Sequence, residues 1–166
     1  NEIYPGIDYV MAIRDPRDII VSMINVGQSQ EKLNMQNQFP RNIDLLCKKI
    51  NRSYWFFLEN SQEKFLQKKV CLIKYEDFIL KPTDMLNKVT KKFSLDMAYD
   101  KNFNIWGRSS NIYKENTKGI NNPYKSDLWS KPLNNSRIGI YKEMLNNTEI
   151  NQINSYCKDI IDMFNY

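Results

Sequence analysis

An apolar run without alternation, residues 8–13, places the strongest limit on the fold. Its residues Tyr-Val-Met-Ala-Ile follow one another without a polar break, whereas a strand with one solvated face alternates between apolar and polar residues. We therefore predict a short strand buried on both faces. Asp15 and Pro16 follow, and this pair is typical of a helix start with an N-cap and a proline in the first turn. A strand that leads directly into a helix indicates an α/β fold.

A second apolar run and several helical patterns complete the expected fold. Val70–Ile73 resembles the first run, so we predict a second strand there. Residues 28–40 and 102–135 are polar, and we expect irregular structure in both. Helices are predicted over Pro16–Val26 with an end at Gly27, over Asn42–Leu66, over Lys81–Phe93, and after the cap residue Thr148. The order strand, helix, helix, strand, helix predicts a parallel sheet.

Composition excludes several kinds of site. The 166 residues suit one domain, 1–166, and 42% hydrophobic with 26% charged residues is a globular composition. The net charge of +5 favours an anionic partner slightly, and a general bias of the source toward Lys and Asn would explain it equally well. Histidine is absent, which excludes a histidine base or histidine metal ligand in this chain, and the three cysteines form no CxxC pair. Aromatic residues such as Trp55 are expected in the core.

The ends of the two predicted strands carry residues suited to a phosphate. Ligands of open α/β sheets bind at the carboxyl ends of strands, where Arg14 and Tyr75 stand. The arginine fork, the free N–H groups of a helix start and the Ser22 hydroxyl would together form a phosphate cradle. A structural alternative stays open, in which Arg14 pairs with Asp18 and Ser22 donates to a helix carbonyl. We expect Arg17 to form a surface ion pair of little energy.

Three segments resemble one enzyme family. IRDPRDIIVSMIN resembles the 3′-phosphate-binding segment of sulfotransferases that use 3′-phosphoadenosine 5′-phosphosulfate (PAPS), and Arg14 and Ser22 match that segment's Arg and Ser. VCLIKYEDFILKPTDMLNKVTKKFSL resembles the element whose tyrosine contacts adenine, which implies that role for Tyr75. SDLWSKPLNNSRIGIYKEMLNNTEINQINSYCKDIIDMFNY is similar to the nucleotide-clasping loop and closing helix of tyrosylprotein and bacterial carbohydrate-type sulfotransferases. That match implies contacts with the 3′-phosphate and ribose for Ser126, Lys131, Asn134 and Ser136.

The resemblance implies a parallel-sheet, P-loop-NTPase-like sulfotransferase fold whose N-terminal P-loop part is missing from this chain. The glycine-rich 5′-phosphosulfate loop and the catalytic base lie upstream in relatives, so the catalytic residues stay unknown here. The implied reaction moves the sulfuryl group of PAPS to an acceptor hydroxyl without a metal. A glycan is the favoured acceptor, ahead of a tyrosyl peptide or a small alcohol. Many relatives have a basic residue before the aromatic that ends the clasp, where this chain has Ile140 before Tyr141, with Arg137 and Lys142 nearby.

Two other functions stay open at this point. A P-loop nucleotide kinase-like enzyme would also need an upstream glycine-rich loop, but it would need no 3′-phosphate. A non-catalytic basic module would bind nucleic acid or an acidic glycan with a steep salt dependence; we rank it last and expect no nucleic-acid partner. The expected partners are therefore the nucleotide donor, the acceptor and the missing N-terminal half of the fold. We expect a cytoplasmic protein, or a Golgi-lumenal one for a eukaryotic chain with an upstream anchor.

Overall fold

The computed structural model describes residues 7–60, 62–96, 122–124 and 133–166. Two strands, β1 (Tyr9–Ile13) and β2 (Val70–Lys74), pair in parallel, with Tyr9 opposite Val70 and Ile13 opposite Lys74. The helices are α1 (Pro16–Lys32), α2 (Ile43–Asn60), α3 (Lys64–Lys69), α4 (Tyr75–Leu80), α5 (Pro82–Phe93), α6 (Tyr141–Met144), α7 (Asn147–Tyr156) and α8 (Lys158–Phe164). The predicted α/β arrangement with a small parallel sheet is confirmed.

The core lies between α1, α2 and the two last helices. Ile20, Leu46, Ile153 and Ile160 are fully buried there, and each comes from a different helix. Apolar residues at helical spacing form one stripe on each helix, and burying these stripes against one another removes apolar surface from water. The core therefore joins helices from the first 60 residues of the chain to the helices of its last twenty.

The prediction that the first strand is buried on both faces is wrong. Val10 is 54% exposed, whereas Ile13 is buried. Successive side chains of a strand point to opposite faces, so the register places Val10 on the same face as Cys71 of β2. Helix α5 packs against β2 and Cys71 is buried, whereas Val10 and Ala12 of β1 stay exposed. The apolar run thus predicts the strand correctly but does not predict that one face of it is exposed.

Gly27 does not end the first helix, as its residue type suggested. The helix α1 continues to Lys32, and Gly27 is buried inside it. A Cβ atom at this position would overlap the carbonyl oxygen of Phe39 and the side-chain oxygen of Asn37. Gly27 is therefore a close-packing position, where the segment after the helix approaches the helix backbone.

The second long helix is also shorter than predicted. It ends at Asn60, and the separate short helix α3 follows. Its buried side chains include Leu46, Ile50 and Tyr54 at four-residue spacing, so Trp55 points about a quarter-turn away. Trp55 is 59% exposed, which corrects its expected place in the core.

The start of α7 and the residues after β2 also differ from expectation. Asn146, rather than Thr148, is the cap of α7, because its side chain accepts from the Glu149 N–H at 2.9 Å. The Glu149 carboxylate accepts from the Asn146 N–H in return, which completes a capping box. The turn Tyr75–Leu80 is helical and was not predicted. Among the described residues, no helix has both the length and the apolar composition needed to cross a bilayer.

Candidate functional site

The turn between β1 and α1 is built around an N-cap. As predicted, Asp15 caps the helix, with its carboxylate accepting from the Arg17 N–H at 2.9 Å and Pro16 at the first helical position. The Arg17 guanidinium returns to the same carboxylate through Nε at 2.8 Å and Nη2 at 2.7 Å. The N–H groups of Arg14 and Asp15 precede the helix and have no partner within it, so they need acceptors from other elements.

Arg17 is not the surface residue that the sequence suggested. Its side chain is 14% exposed and that of Asp15 is 10% exposed, because the guanidinium lies 4.6 Å from the centroid of the Tyr141 ring. The hydrogen bonds to Asp15 raise the pKa of Arg17. This pair is a partly buried anchor between the helix start and the C-terminal region.

Arg14 leaves the strand end in a defined orientation. Its Nη2 donates to the Arg137 carbonyl at 2.6 Å, and its guanidinium carbon lies 4.5 Å from the centroid of the Tyr75 ring. Nη2 is 4.0 Å from the nearer Asp18 oxygen, beyond hydrogen-bond distance. The Nε atom is buried, and none of the described residues accepts a hydrogen bond from it. Because Nη2 lies 4.0 Å from the Asp18 carboxylate, the Arg14–Asp18 pair of the structural alternative is only a weak contact.

Asp18 binds backbone N–H groups near the C-terminal helices and makes only a weak contact with Arg14. It is 1% exposed, and its two oxygens accept from the Gly139 N–H at 2.7 Å and the Tyr141 N–H at 3.1 Å. Gly139 has φ +72°, a left-handed conformation that glycine adopts without strain. We call residues 137–141 the clasp, because Asp18 and Arg14 hold them over the first turns of α1.

A cleft of about 470 Å³ lies between α1 and the clasp. The residues of α1 that line the cleft recur every three to four positions, so their side chains lie on one face of the helix. Among the described residues, α1 contributes Asp18, Val21, Ser22, Asn25, Val26, Gln28, Ser29 and Lys32 to the lining, and Arg14, Tyr75, Pro123, Tyr124, Arg137 and Ile140 complete it. The lining is cationic, since three basic residues face one carboxylate whose oxygens already bind backbone N–H groups.

The Ser22 hydroxyl is exposed on this wall. Ser29 and Ser53 donate to the carbonyls four residues earlier, at 2.9 and 3.0 Å. No hydrogen bond in the described part of the chain uses the Ser22 hydroxyl in that way. The geometry therefore differs from the back-bonded alternative and leaves the hydroxyl facing the cleft.

The structure brings together some of the residues named from the sequence. Arg14, Ser22 and Tyr75 line one cleft. Ser126 and Lys131 lie outside the described residues. Asn134 and Ser136 bind each other, with the Ser136 N–H donating to the Asn134 side chain at 3.1 Å, and they precede the clasp without lining the cleft. The ligand contacts expected of these seven residues stay predictions.

Basic residues of the clasp take unequal positions. Arg137 lines the cleft, whereas the Lys142 ammonium lies 5.9 Å from the centroid of the Tyr141 ring and outside the lining. Ile140 stands where many relatives have a basic residue before the aromatic, and of the two basic residues near it, Arg137 is the one that faces the cleft. No group of three or more metal-ligating side chains occurs within the described ranges.

Behind Arg14 lies a set of hydroxyl and carboxylate groups that the sequence did not indicate. The Arg14 N–H donates to the Tyr54 hydroxyl at 3.3 Å, and the Asp15 N–H donates to Glu76 Oε1 at 3.1 Å. The other Glu76 oxygen accepts from the Tyr166 hydroxyl at 3.0 Å. Burial raises the pKa of Tyr54, and burial together with Glu76 raises the pKa of Tyr166, so both hydroxyls stay protonated at neutral pH.

One comparison with known proteins identifies a family for this chain. The family model described as the sulfotransferase family matches residues 1–99, a range that contains Arg14, Ser22 and Tyr75. No curated protein and no solved structure matches the chain. Since the family model covers more than half of the 166 residues, this chain belongs to the sulfotransferase family, whose members transfer sulfuryl groups.

Proposed function

We propose that this chain forms the 3′-phosphate- and adenine-binding half of a PAPS-dependent sulfotransferase. The observation that carries the proposal is the cleft in which the Arg14 guanidinium, the Ser22 hydroxyl and the Tyr75 ring meet. A phosphate ester carries negative charge and several acceptor oxygens, and arginine matches these oxygens with paired donors. The buried Nε of Arg14, which has no acceptor among the described residues, is a donor that such a ligand suits.

Each residue has a separate role in this proposal. Arg14 supplies charge and donors to the 3′-phosphate, with its plane held against Tyr75. Ser22 donates a further hydrogen bond from one helix face. Tyr75 is half-buried and lines the cleft, so its ring borders the space assigned to adenine, where aromatic faces bind bases well. Arg137 adds positive charge from the clasp side.

The 3′-phosphate is remote from the sulfur that reacts. Binding energy from a remote group aligns the reacting end, and alignment with charge stabilisation is the main catalytic requirement of such a transfer. The acceptor hydroxyl attacks the sulfur, a base takes its proton, and adenosine 3′,5′-bisphosphate leaves. We assign the base and the 5′-phosphosulfate loop to a part of the fold upstream of this chain, in line with the resemblance described above. A glycan is the proposed acceptor.

A competition between nucleotides tests the donor class. We expect the full-length protein to bind adenosine 3′,5′-bisphosphate more tightly than ADP in titration calorimetry, because only the former carries the 3′-phosphate. Arg14→Ala should weaken bisphosphate binding about 30-fold or more, since loss of a charged hydrogen-bonding partner costs on the order of 2–5 kcal/mol. Arg14→Lys should fall between the two, because it keeps the charge and loses the fork.

Arg52→Ala is the matched control, because Arg52 is exposed on α2 and does not line the cleft. Equal affinity for ADP would favour the kinase-like alternative. Binding with a steep salt dependence and no nucleotide preference would favour the basic module instead. Either result would remove the reason for assigning Arg14 and Ser22 to a 3′-phosphate.

A further inference from the structure

We propose that Glu76, together with Tyr54 and Tyr166, positions the β1–α1 turn so that Arg14 recognises a 3′-phosphate. These three are positioning residues, because Tyr54 and Glu76 contact the backbone of the turn, Tyr166 contacts Glu76, and none of them lines the cleft. The inference rests on the proposed function, since it concerns how selectively that same site reads the 3′-phosphate.

Two consecutive backbone amides of the turn are held by side chains from distant elements. The Arg14 N–H reaches the Tyr54 hydroxyl on α2 at 3.3 Å, and the Asp15 N–H reaches Glu76 on α4 at 3.1 Å. Both residues lie between the end of β1 and the start of α1, so neither amide has a ladder or helix partner. The path of the backbone at Arg14 therefore depends on these two side chains.

Glu76 is placed to link the backbone of this turn to the Arg14 side chain. It is the neighbour of Tyr75, whose ring centroid lies 4.5 Å from the guanidinium carbon. The first turn of α4 thus holds the Arg14 guanidinium through Tyr75 and the Asp15 N–H through Glu76. A shift of this turn would move the arginine fork relative to a bound phosphate, and small errors of position are costly where recognition is geometric.

Tyr166 fixes the Glu76 carboxylate in turn. Its hydroxyl donates to Oε2 at 3.0 Å, and its ring lies 4.5 Å from the Lys74 ammonium. That ammonium also donates to the Asn165 carbonyl at 3.2 Å. One oxygen of the Glu76 carboxylate therefore accepts from the turn and the other accepts from the hydroxyl of the half-buried Tyr166, and these two bonds define its orientation.

A purely structural role would change stability and affect all nucleotides alike. A positioning role predicts a selective loss, because only the 3′-phosphate reads the orientation of Arg14. The informative quantity is therefore the ratio of the dissociation constants for adenosine 5′-monophosphate and adenosine 3′,5′-bisphosphate. Stability alone does not move this ratio.

The variants are chosen to separate the carboxylate's geometry from its charge. Glu76→Ala removes both hydrogen bonds. Glu76→Gln keeps them, since its carbonyl accepts from the Asp15 N–H while its NH₂ group donates to the Tyr166 hydroxyl. Asp77→Ala is the matched control, because Asp77 is the exposed neighbouring carboxylate. Tyr54→Phe and Tyr166→Phe each remove a single hydroxyl and serve where Glu76→Ala does not fold.

The measurement is titration calorimetry of both nucleotides on the full-length protein, with circular dichroism to verify folding. We expect Glu76→Ala to lower the selectivity ratio about tenfold, as the loss of a hydrogen bond to a charged group would. Glu76→Gln should restore the ratio to within about threefold of wild type, each Tyr→Phe change should lower it about threefold, and Asp77→Ala should leave it unchanged.

An unchanged ratio in Glu76→Ala overturns the positioning role and leaves the proposed function intact. Where Glu76→Ala does not fold, an unchanged ratio in both Tyr→Phe variants has the same meaning. Equal losses for both nucleotides overturn it as well. A wild-type protein with no preference for the bisphosphate overturns the proposed function first, and the positioning role with it. The wild-type titration therefore distinguishes the two failures.

Discussion

Replacement of Asp18 by alanine should loosen the clasp and destabilise the protein. The carboxylate is 1% exposed and accepts from two backbone N–H groups, at 2.7 and 3.1 Å. Each hydrogen bond to a charged group contributes about 1.5–3 kcal/mol, so an upper range of about 3–6 kcal/mol is at stake. Some of this returns when the freed N–H groups of Gly139 and Tyr141 reach water. We therefore expect a loss of about 3 kcal/mol, at the low end of this range.

The assay is equilibrium unfolding in urea followed by circular dichroism. A lower midpoint with an unchanged slope would show a loss of stability without a change in the unfolded state. Asp18→Asn should lose about half as much, because one amide oxygen accepts one N–H while the NH₂ group faces the other. Asp44→Ala is the control, since its ion pair with Lys48 is solvent-exposed and contributes little to stability.

A loss below about 0.5 kcal/mol for Asp18→Ala would refute the reasoning, because ordinary surface substitutions stay within that range. It would mean that the two short contacts with the clasp contribute little beyond their replacement by water. A loss equal to that of Asp44→Ala would lead to the same conclusion.

Three further outcomes follow from contacts outside the cleft. Gly27→Ala should lower the unfolding midpoint by an amount equivalent to about 1–3 kcal/mol, although alanine favours helices, because a Cβ there overlaps the Phe39 carbonyl. Arg41 lowers the pKa of Glu149, so their pair stabilises the fold above the unfolded pKa of about 4.3 and is lost as pH falls through the folded value. Urea titrations should accordingly show the advantage of wild type over Glu149→Gln shrinking below about pH 4. The three cysteines are buried, and the hydrogen bond with Cys47 together with burial raises the pKa of Cys157. A thiol reagent should therefore label them only after unfolding, and rapid labelling of the native protein would contradict this burial.

Local signals in the sequence were sufficient for the turn that carries Arg14. The Asp-Pro helix start and the apolar run before it are short-range features, and the structure has both. The same holds for the strand that precedes Tyr75. Since strand ends and helix starts are set by neighbouring residues, the strand-end position of Arg14 followed from the sequence, although the closeness of Tyr75 depends on strand pairing.

Features that depend on distant parts of the chain were not predictable in the same way. The residue type of Gly27 predicts a helix end, because the approach of Phe39 is a tertiary contact with no local signal. The position of Arg17 at a helix start predicts a surface residue, because Tyr141, which covers it, lies more than a hundred positions later. Glu76 had no visible signal, since its partners are 61 and 90 positions away. Local propensity cannot report pairings of this kind.

The wide sequence separation across the clasp has a consequence for folding. Asp18 and Gly139 are 121 positions apart, and Arg14 and Arg137 are 123 positions apart. Closing loops of this length is entropically unfavourable until the elements between them have packed, and topologies rich in such contacts fold slowly. During synthesis, Arg14, Ser22 and Tyr75 leave the ribosome long before the residues that close the cleft. We therefore expect the cleft to be among the last parts of the molecule to form, and we expect a nascent chain to bind the proposed nucleotide only after its C-terminal helices α7 and α8 have docked.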